Sequence, residues 1–279
     1  MSEEEFEVAI DGGVLCGHVG GDGPPALLLH GGAAVPDYLG ELAAELEPLL
    51  TTYRYTQRGT PPSTGGPPYG IEAHVADAVA VLDAFEIPRA WAVGHSWGGH
   101  LALHLAVSHP ERLLGIVCID PVGAYVGAFA DLDATLRRGL APETVERLDG
   151  IEARRRTREV SEAELVERFA ILWPQYFGDP SRPVAQSPVT HVGVDASIGA
   201  NLSLGEHFGR ETLVHGLPDV RLPALFVHGE LDPLPTSSTL ETAALIPGAR
   251  VELIPDCGHF PWLERPGEVA RMVASTVTG

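Results

Sequence analysis

Residues 93–99 read Val93-Gly94-His95-Ser96-Trp97-Gly98-Gly99, a G-x-S-x-G pattern between two recognisable elements. The apolar run at 90–93 before it is typical of a short buried strand, and the segment from about 98 to 108 after it predicts a helix. A strand that turns directly into a helix leaves little room beside the serine, which favours glycine at 94 and 98. The pattern therefore predicts that Ser96 is pushed out at a strand end, beside a helix N-terminus where developing negative charge is favoured.

Strands and helices alternate on both sides of this motif. Buried strands are predicted at 26–30, 52–56, 90–93, 114–119, 224–228 and 250–254 from short apolar or β-branched runs that end at glycine or proline. Helices are predicted between them, at 41–50, 71–85, 98–108, 239–245 and 266–277. Because such alternation is typical of parallel sheets, we expect an α/β fold with a mostly parallel central sheet flanked by helices.

The alternation stops near Pro121 and resumes near Leu217. The intervening residues are helical in pattern, charged and irregular. We therefore predict a core domain formed by residues 1–121 and 217–279, interrupted by a helical cap at 122–216. Insertions of this kind commonly roof an active site.

A serine at this kind of turn needs a histidine base and an acid, in the chain order serine, acid, histidine. His259 lies in Asp256-Cys257-Gly258-His259, just past the last predicted strand, where a loop can carry the imidazole over Ser96. Asp232 follows a buried strand and is our prediction for the acid. Glu230, two residues earlier, and Asp120, at the end of another strand, are the alternatives.

Two backbone amides are candidates for an oxyanion hole. The Trp97 amide lies at the predicted helix N-terminus, next to the serine. The pair Gly31-Gly32 follows the first long strand, at the point where such folds place the second amide, and we assign that role to Gly32. Arg58-Gly59, after the next strand, is interpreted as a structural turn.

Composition excludes several other chemistries. The formal net charge is −20, which disfavours nucleic acid and anionic membranes as partners. All eighteen basic residues are arginine, so no lysine Schiff base, P-loop lysine or Ser-Lys pair is available. The three cysteines form no CxxC motif, and we expect no metal site and no cofactor. The acidic start MSEEEFEVAI lacks signal-peptide features, and we expect a cytoplasmic protein.

Three motifs make the chain resemble the α/β-hydrolase superfamily over nearly its whole length, and within it the proline iminopeptidase branch. Leu29-His30-Gly31-Gly32 resembles the HGGPG motif of that branch, and Gln57-Arg58-Gly59 resembles its DQRG. The block from Ser96-Trp97-Gly98 through 101–103 to His109-Pro110-Glu111-Arg112 resembles GGSWGSTLAL…HPERV. The chain departs from these motifs at Ala33, Ala34, Thr56, His95 and Gly99.

The resemblance implies the α/β-hydrolase fold and a Ser96–His259–Asp232 triad that forms an acyl-enzyme. That branch also binds its substrate's free amine with cap glutamates, and Glu206 is the candidate here. Glu162, Glu164 and Glu167 share a helical segment with basic neighbours and are interpreted as a solvated face. Trp173, Tyr176 and Phe177 are candidates for an apolar pocket wall, although core packing would also explain them.

Several functions fit these residues. The leading hypothesis is hydrolysis of a small ester, amide or N-terminal peptide bond without a cofactor, on a small-molecule or short-peptide substrate. A carboxylesterase or lactonase, or a carbon–carbon bond hydrolase or lyase, would use the same triad. A slow-turnover ligand-binding receptor is the alternative outside enzymes. The sequence does not indicate the oligomeric state.

Overall fold

The computed structural model describes residues 3–277 as a single eight-stranded sheet with helices on both faces. The strands are β1 (Glu4–Ile10), β2 (Gly13–Gly20), β3 (Pro25–Leu29), β4 (Thr51–Tyr55), β5 (Ala90–His95), β6 (Leu113–Ile119), β7 (Ala224–Gly229) and β8 (Arg250–Ile254). Their order in the sheet is β1-β2-β4-β3-β5-β6-β7-β8. From β4 to β8 every neighbouring pair is parallel, which agrees with the predicted α/β-hydrolase fold class.

The sequence reasoning missed β1 and β2. They form an antiparallel hairpin at the sheet edge, and β2 also pairs antiparallel with β4. Four of the seven β1 residues are glutamate or alanine of low strand propensity, so the segment lacks the composition that predicts a strand. Only the alternation around Phe6 and Val8 marks a buried face.

The helices are α1 (Gly40–Leu46), α2 (Ile71–Ala84) and α3 (Trp97–Ser108), then α4 (Val126–Ala130), α5 (Leu132–Leu136), α6 (Pro142–Thr157), α7 (Glu162–Leu172), α8 (Val194–Gly209) and α9 (Thr212–Gly216), and finally α10 (Thr236–Ala243), α11 (Pro261–Glu264) and α12 (Glu268–Val277). Among residues 3–277, no helix combines the length and apolar character needed to cross a bilayer.

Both faces of the sheet are buried, which explains why the central strands read as unbroken apolar runs. Along β5, Ala90 and Ala92 join the core beneath α2, α3 and α10, whereas Trp91 and Val93 join the core beneath α1, α11 and α12. Because β4 to β8 run parallel, their carboxyl ends lie at one edge of the sheet, which is where parallel α/β sheets place their ligands.

The chain between β6 and β7 forms helices α4 to α9 and short 3₁₀ turns, with no strand among these described residues. A third apolar cluster joins this segment to the loop after β3, because it contains Val35 from that loop together with Ile151, Val160 and Leu165. The helical segment therefore packs over the carboxyl edge of the sheet. We keep 1–121 with 217–279 as the core, and 122–216 as the cap, as our working division.

Candidate active site

Ser96 occupies the sharp turn between β5 and α3. Its backbone has φ +55° and ψ −118°, a strained conformation for a residue with a side chain. A Cβ on Gly94 would overlap the carbonyl of Gly98, and a Cβ on Gly98 would overlap the carbonyl of Leu29. Both glycines are therefore required by close backbone approach rather than by their own dihedral angles.

The turn is held in place by β6 and the residues after it. The Ser96 N–H donates to the carbonyl of Ile119 at 2.9 Å, and the Ser96 carbonyl accepts from the Val122 N–H at 3.1 Å. These bonds fix the strained serine from both of its peptide groups, which leaves the side chain to face the cavity above the sheet.

His259 lies in the loop after β8, and Asp232 lies in the turn after β7. The Nδ1–H of His259 donates to Oδ2 of Asp232 at 2.7 Å. Asp232 is fixed in turn, because its Oδ1 accepts from the Leu234 N–H at 2.8 Å. The backbone N–H of His259 donates to the carbonyl of Tyr176 at 2.8 Å, which anchors the histidine loop to the cap. Glu230, by contrast, is exposed to solvent.

Asp120, the other alternative acid, lies behind Asp232 rather than against His259. It is fully buried, and its Oδ1 accepts from the Gly229 N–H at 2.8 Å. Burial and the adjacent Asp232 carboxylate raise the pKa of Asp120 well above its usual value. Burial also raises the pKa of Asp232, but hydrogen bonds from Asp120 and from the Leu234 amide oppose that rise. The Asp232 carboxylate thus favours the protonated form of Asp120, whereas the Asp120 side chain and the Leu234 amide favour the ionised form of Asp232.

His228 completes a buried cluster with these two carboxyl groups. Such a set of donors could in principle hold a cation. However, one ring nitrogen of His228 pairs with the Thr239 hydroxyl at 2.8 Å and the other with the Leu234 carbonyl at 2.9 Å. Both ring nitrogens of His228 therefore already have protein partners, so this histidine is not free to bind a cation.

The His259 ring is positioned to act as a base through Nε2. Burial lowers its pKa from 6.5 to about 3, so the imidazole is neutral at ordinary pH. Nδ1 is taken by Asp232, and no described residue forms a hydrogen bond with Nε2. Ser96 and His259 line the same cavity. In enzymes the serine–histidine hydrogen bond often tightens only when substrate binds.

The two predicted oxyanion donors also line this cavity. Gly32 has φ +63°, a left-handed conformation that favours glycine, and Trp97 is the first residue of α3. Within residues 3–277, neither amide donates to another protein group, so both N–H groups are open to a ligand. The Trp97 indole donates to Gln57 at 3.0 Å, and Gln57 donates to the His30 carbonyl at 2.9 Å, which links the two segments.

Sequence reasoning missed a second network around the site. The Gly31 N–H donates to the Tyr38 hydroxyl at 3.0 Å, and that hydroxyl lies 2.7 Å from Nδ1 of His95. Nε2 of His95 lies 2.8 Å from the carbonyl of His259. The Tyr38 O–H donates to Nδ1 of His95, and the Nε2–H of His95 donates to the carbonyl of His259. With these donors, each group in the network has a hydrogen-bond partner. The network joins the oxyanion loop to the histidine loop. His95 could have been noticed within the serine motif, but no pattern marks Tyr38.

A cavity of about 690 Å³ lies between the cap and the sheet edge. Trp173 and Tyr176 line it, and the Tyr176 ring lies 5.0 Å from that of His259. Two expectations about the pocket were wrong. Phe177 is buried in the core against Trp173 and Phe260 instead of lining the cavity.

Glu206 was the other wrong expectation. It lies outside the cavity on the outer face of α8, where its side chain is 64% exposed and pairs with Arg210 at 3.6 Å. A helix places residues 100° apart, and the sequence alone could not show which side of α8 faces the cavity. Instead, the α8 residues Ser197, Asn201 and Leu204 face it.

Charged cap residues form the outer part of the cavity wall. Four arginines line it, Arg137, Arg155, Arg156 and Arg168, together with three carboxylates, Asp133, Asp149 and Glu152. Arg137 pairs with Asp133 and with Asp149, both at 2.7 Å. None of these seven residues had been singled out from the sequence as lining a site.

Comparison with known proteins agrees with this architecture. Residues 26–272 match the model of the alpha/beta hydrolase family. The chain is 30% identical to a 2-hydroxymuconate semialdehyde hydrolase of Pseudomonas putida, with 92% of this chain and 88% of the relative covered. It is 29% identical to a pimeloyl-(acyl-carrier protein) methyl ester esterase of Aromatoleum aromaticum, with 92% and 99% covered.

Among solved structures, an alpha/beta fold family hydrolase from Bacillus anthracis superposes with a TM-score of 0.77 at 19% identity, covering 99% of both chains. Neither of the two sequence relatives is a proline iminopeptidase, so the likeness to that branch is not established beyond the superfamily. The family match spans the serine turn, the Asp232 turn and the histidine loop, and the relatives are hydrolases. The chain is an enzyme of the hydrolase class that belongs to the alpha/beta hydrolase family.

Proposed function

We propose that this enzyme hydrolyses a carboxylic ester of a small molecule through an acyl-enzyme on Ser96. The observation that carries the proposal is the Asp232–His259 hydrogen bond, set beside a strained serine in a capped cavity. A neutral imidazole oriented by a buried carboxylate is the base that a serine hydroxyl needs.

In the acylation step, Nε2 of His259 takes the Ser96 proton as Oγ attacks the ester carbonyl carbon. The carbonyl oxygen becomes an oxyanion, which the Gly32 and Trp97 amides stabilise. Asp232 stabilises the imidazolium that forms. When the tetrahedral intermediate collapses, the carbon–oxygen ester bond breaks, and the imidazolium protonates the departing alkoxide to give the alcohol.

In the deacylation step, water takes the place of the alcohol. His259 removes a proton from the water as its oxygen attacks the acyl carbon, and Ser96 then leaves with the proton from His259. The products are a carboxylic acid and the free enzyme. The cavity of about 690 Å³ accommodates a small acyl group and a small alcohol.

The charges of the cap favour an ester over an N-terminal peptide bond. An aminopeptidase needs a carboxylate for the substrate's ammonium group, because a buried unpaired charge is costly. Asp133 and Asp149 are each paired with Arg137 at 2.7 Å, and Glu152 lies 3.5 Å from Arg155. The carboxylates that line the cavity thus already face arginine, and Glu206 lies outside.

Carbon–carbon bond hydrolysis is the second candidate, favoured by the 30% identity to the Pseudomonas putida semialdehyde hydrolase. The same serine and histidine would act on a ketone carbonyl, and a carbanion would leave in place of an alkoxide. A dienoic ketone of the kind produced by ring cleavage tests this directly, because its absorbance falls when the conjugated chain is cut.

The deciding experiment compares p-nitrophenyl esters of two- to eight-carbon acids with proline p-nitroanilide and its N-acetyl derivative. The proposal expects ester turnover over many cycles, a preference for short chains, and little arylamide cleavage. Faster cleavage of proline p-nitroanilide than of each ester would overturn it in favour of a peptidase. A single stoichiometric burst with no later turnover would instead indicate a ligand-binding receptor.

A further inference from the structure

We propose that Arg155 and Arg168 form an anion subsite in the cap wall of the catalytic cavity, and that the substrate carries a carboxylate there. This inference rests on the proposed function, since it names the class of ester that the Ser96 site accepts. It places a recognition element on the cap that is separate from the reacting groups.

The two arginines come from different cap helices and face one space. Arg155 lies on α6 and Arg168 on α7, and both line the cavity that contains Ser96 and His259. Their side chains are 20% and 22% exposed. Tyr176, whose ring contacts His259, lies close enough to Arg168 that this charge partly opposes the rise in the Tyr176 pKa caused by burial.

Both guanidinium groups form only long ion pairs with the protein. Within residues 3–277, neither group has a carboxylate at the short distance of a charge-assisted hydrogen bond. The carboxylates nearest to them are Glu152, 3.5 Å from Arg155, and Asp133, 3.8 Å from Arg168. Charge-assisted hydrogen bonds are normally about 2.7–2.9 Å long, the distance at which Arg137 binds its own two carboxylates.

A ligand carboxylate would supply what is missing. Each guanidinium offers five N–H donors in a planar fork, which matches the two oxygens of a carboxylate. Burial lowers the pKa of Arg155, the Glu152 carboxylate opposes this, and the positive charge of Arg168 acts with burial. An anion bound between them would relieve the repulsion and replace the solvent lost by burial.

The local charge balance favours a single negative charge. The cavity wall has four arginines against three carboxylates, a surplus of one positive charge in a protein whose formal net charge is −20. One ligand carboxylate neutralises that surplus, whereas a phosphate dianion would exceed it. Because the overall field repels anions, selectivity for a carboxylate must come from contacts inside the cavity.

The test uses p-nitrophenyl hemiesters of four- to seven-carbon dicarboxylic acids. Each hemiester is paired with its half-amide, which has the same shape and no charge, and buffer-only rates are subtracted. Turnover of the half-amides reports the ester hydrolysis itself. The ratio of acid to half-amide in kcat/KM reports the subsite, so the two proposals can fail separately.

In the wild type, at least one hemiester should exceed its half-amide about tenfold or more in kcat/KM, mainly through a lower KM, because hydrogen bonds between charged groups are strong. Arg155→Gln and Arg168→Gln should each remove most of this preference, so that the hemiester and its half-amide are used at similar kcat/KM. Arg138→Gln is the matched control, since Arg138 is an exposed cap arginine outside the cavity, and it should preserve the preference.

The subsite is refuted if acids and half-amides are used equally at every chain length. It is also refuted if the preference survives in both cavity variants or disappears equally in Arg138→Gln. Should the wild type hydrolyse none of these esters, calorimetry with the free dicarboxylic acids decides the matter. Binding that is lost in Arg168→Gln then supports the subsite, and the absence of binding to the wild type overturns it.

Discussion

Replacing Asp232 and Asp120 by asparagine, one at a time, should give two very different enzymes. Oδ1 of Asp232 accepts from the Leu234 N–H at 2.8 Å, and Oδ2 faces Nδ1 of His259 at 2.7 Å. In Asp232→Asn the remaining oxygen stays with Leu234, so the new NH₂ group points at Nδ1. His259 must then accept at Nδ1 and carry its proton on Nε2, where it cannot take a proton from Ser96.

The expected loss in kcat for Asp232→Asn is about 10⁴-fold, the effect of the wrong tautomer in a serine protease with the same triad. Asp120→Asn should lower kcat less than about tenfold, which corresponds to the energy of one ordinary hydrogen bond. Its oxygen can still accept from the Gly229 N–H, and Nδ1 of His259 stays paired with Asp232.

The assay is steady-state hydrolysis of a p-nitrophenyl ester by both variants, after circular dichroism and thermal unfolding have shown that each is folded. Equal losses in the two variants would refute the assignment of separate roles to the two carboxyl groups. So would an Asp232→Asn enzyme that retains more than about a hundredth of wild-type kcat, since the wrong tautomer could not support that rate.

Three further predictions concern stability. Gly98→Ala should prevent folding of the serine turn, because its Cβ would overlap the Leu29 carbonyl. The control Gly205→Ala, on α8, has open space around the added Cβ and should raise the melting temperature slightly. A folded, active Gly98→Ala enzyme would contradict the close approach at Gly98. Burial lowers the pKa below 6.5 in seven histidines: His30, His74, His95, His100, His104, His228 and His259. Because the unfolded chain therefore binds more protons in acid, the free energy of unfolding should fall as the pH drops below 6.5. Urea midpoints that are equal at pH 7 and pH 5 would contradict this. Arg58→Met leaves the Asp77 carboxylate buried without its partner and should lower the free energy of unfolding in urea by about 3–5 kcal/mol. The double variant Arg58→Met/Asp77→Leu should recover part of that loss. An Arg58→Met protein as stable as the wild type would show that the pair does not contribute to stability.

The sequence was most informative where local backbone geometry dictates residue type. Gly94 and Gly98 flank Ser96 because nothing larger fits there, and His259 and Asp232 follow strands whose apolar runs are easy to recognise. Asp120 could not be separated from Asp232 by position alone, since both end buried parallel strands. The structure distinguishes them by the Nδ1 contact of His259.

The cap was harder to predict, because the direction of its side chains depends on how its helices pack. Three consecutive arginines occupy 154–156, and a helix turns 100° between them. Arg154 binds Glu164 on the cap surface, whereas Arg155 faces the cavity. The positions of Glu206 and Phe177 were predicted incorrectly for the same reason. A sequence pattern indicates a helix or an apolar segment, but it does not show which part of the protein each side chain packs against.

The mechanism depends most directly on Ser96 as the nucleophile. Wild-type enzyme and Ser96→Ala should each be treated with a fluorophosphonate, digested, and analysed by mass spectrometry, with ester turnover measured on the same samples. This mechanism predicts one adduct, on the peptide that contains Ser96, no adduct in the folded variant, and a loss in kcat on the order of 10⁶, as for the serine of a protease triad. An adduct on another residue, or a Ser96→Ala enzyme that turns over esters at the wild-type rate, would contradict it.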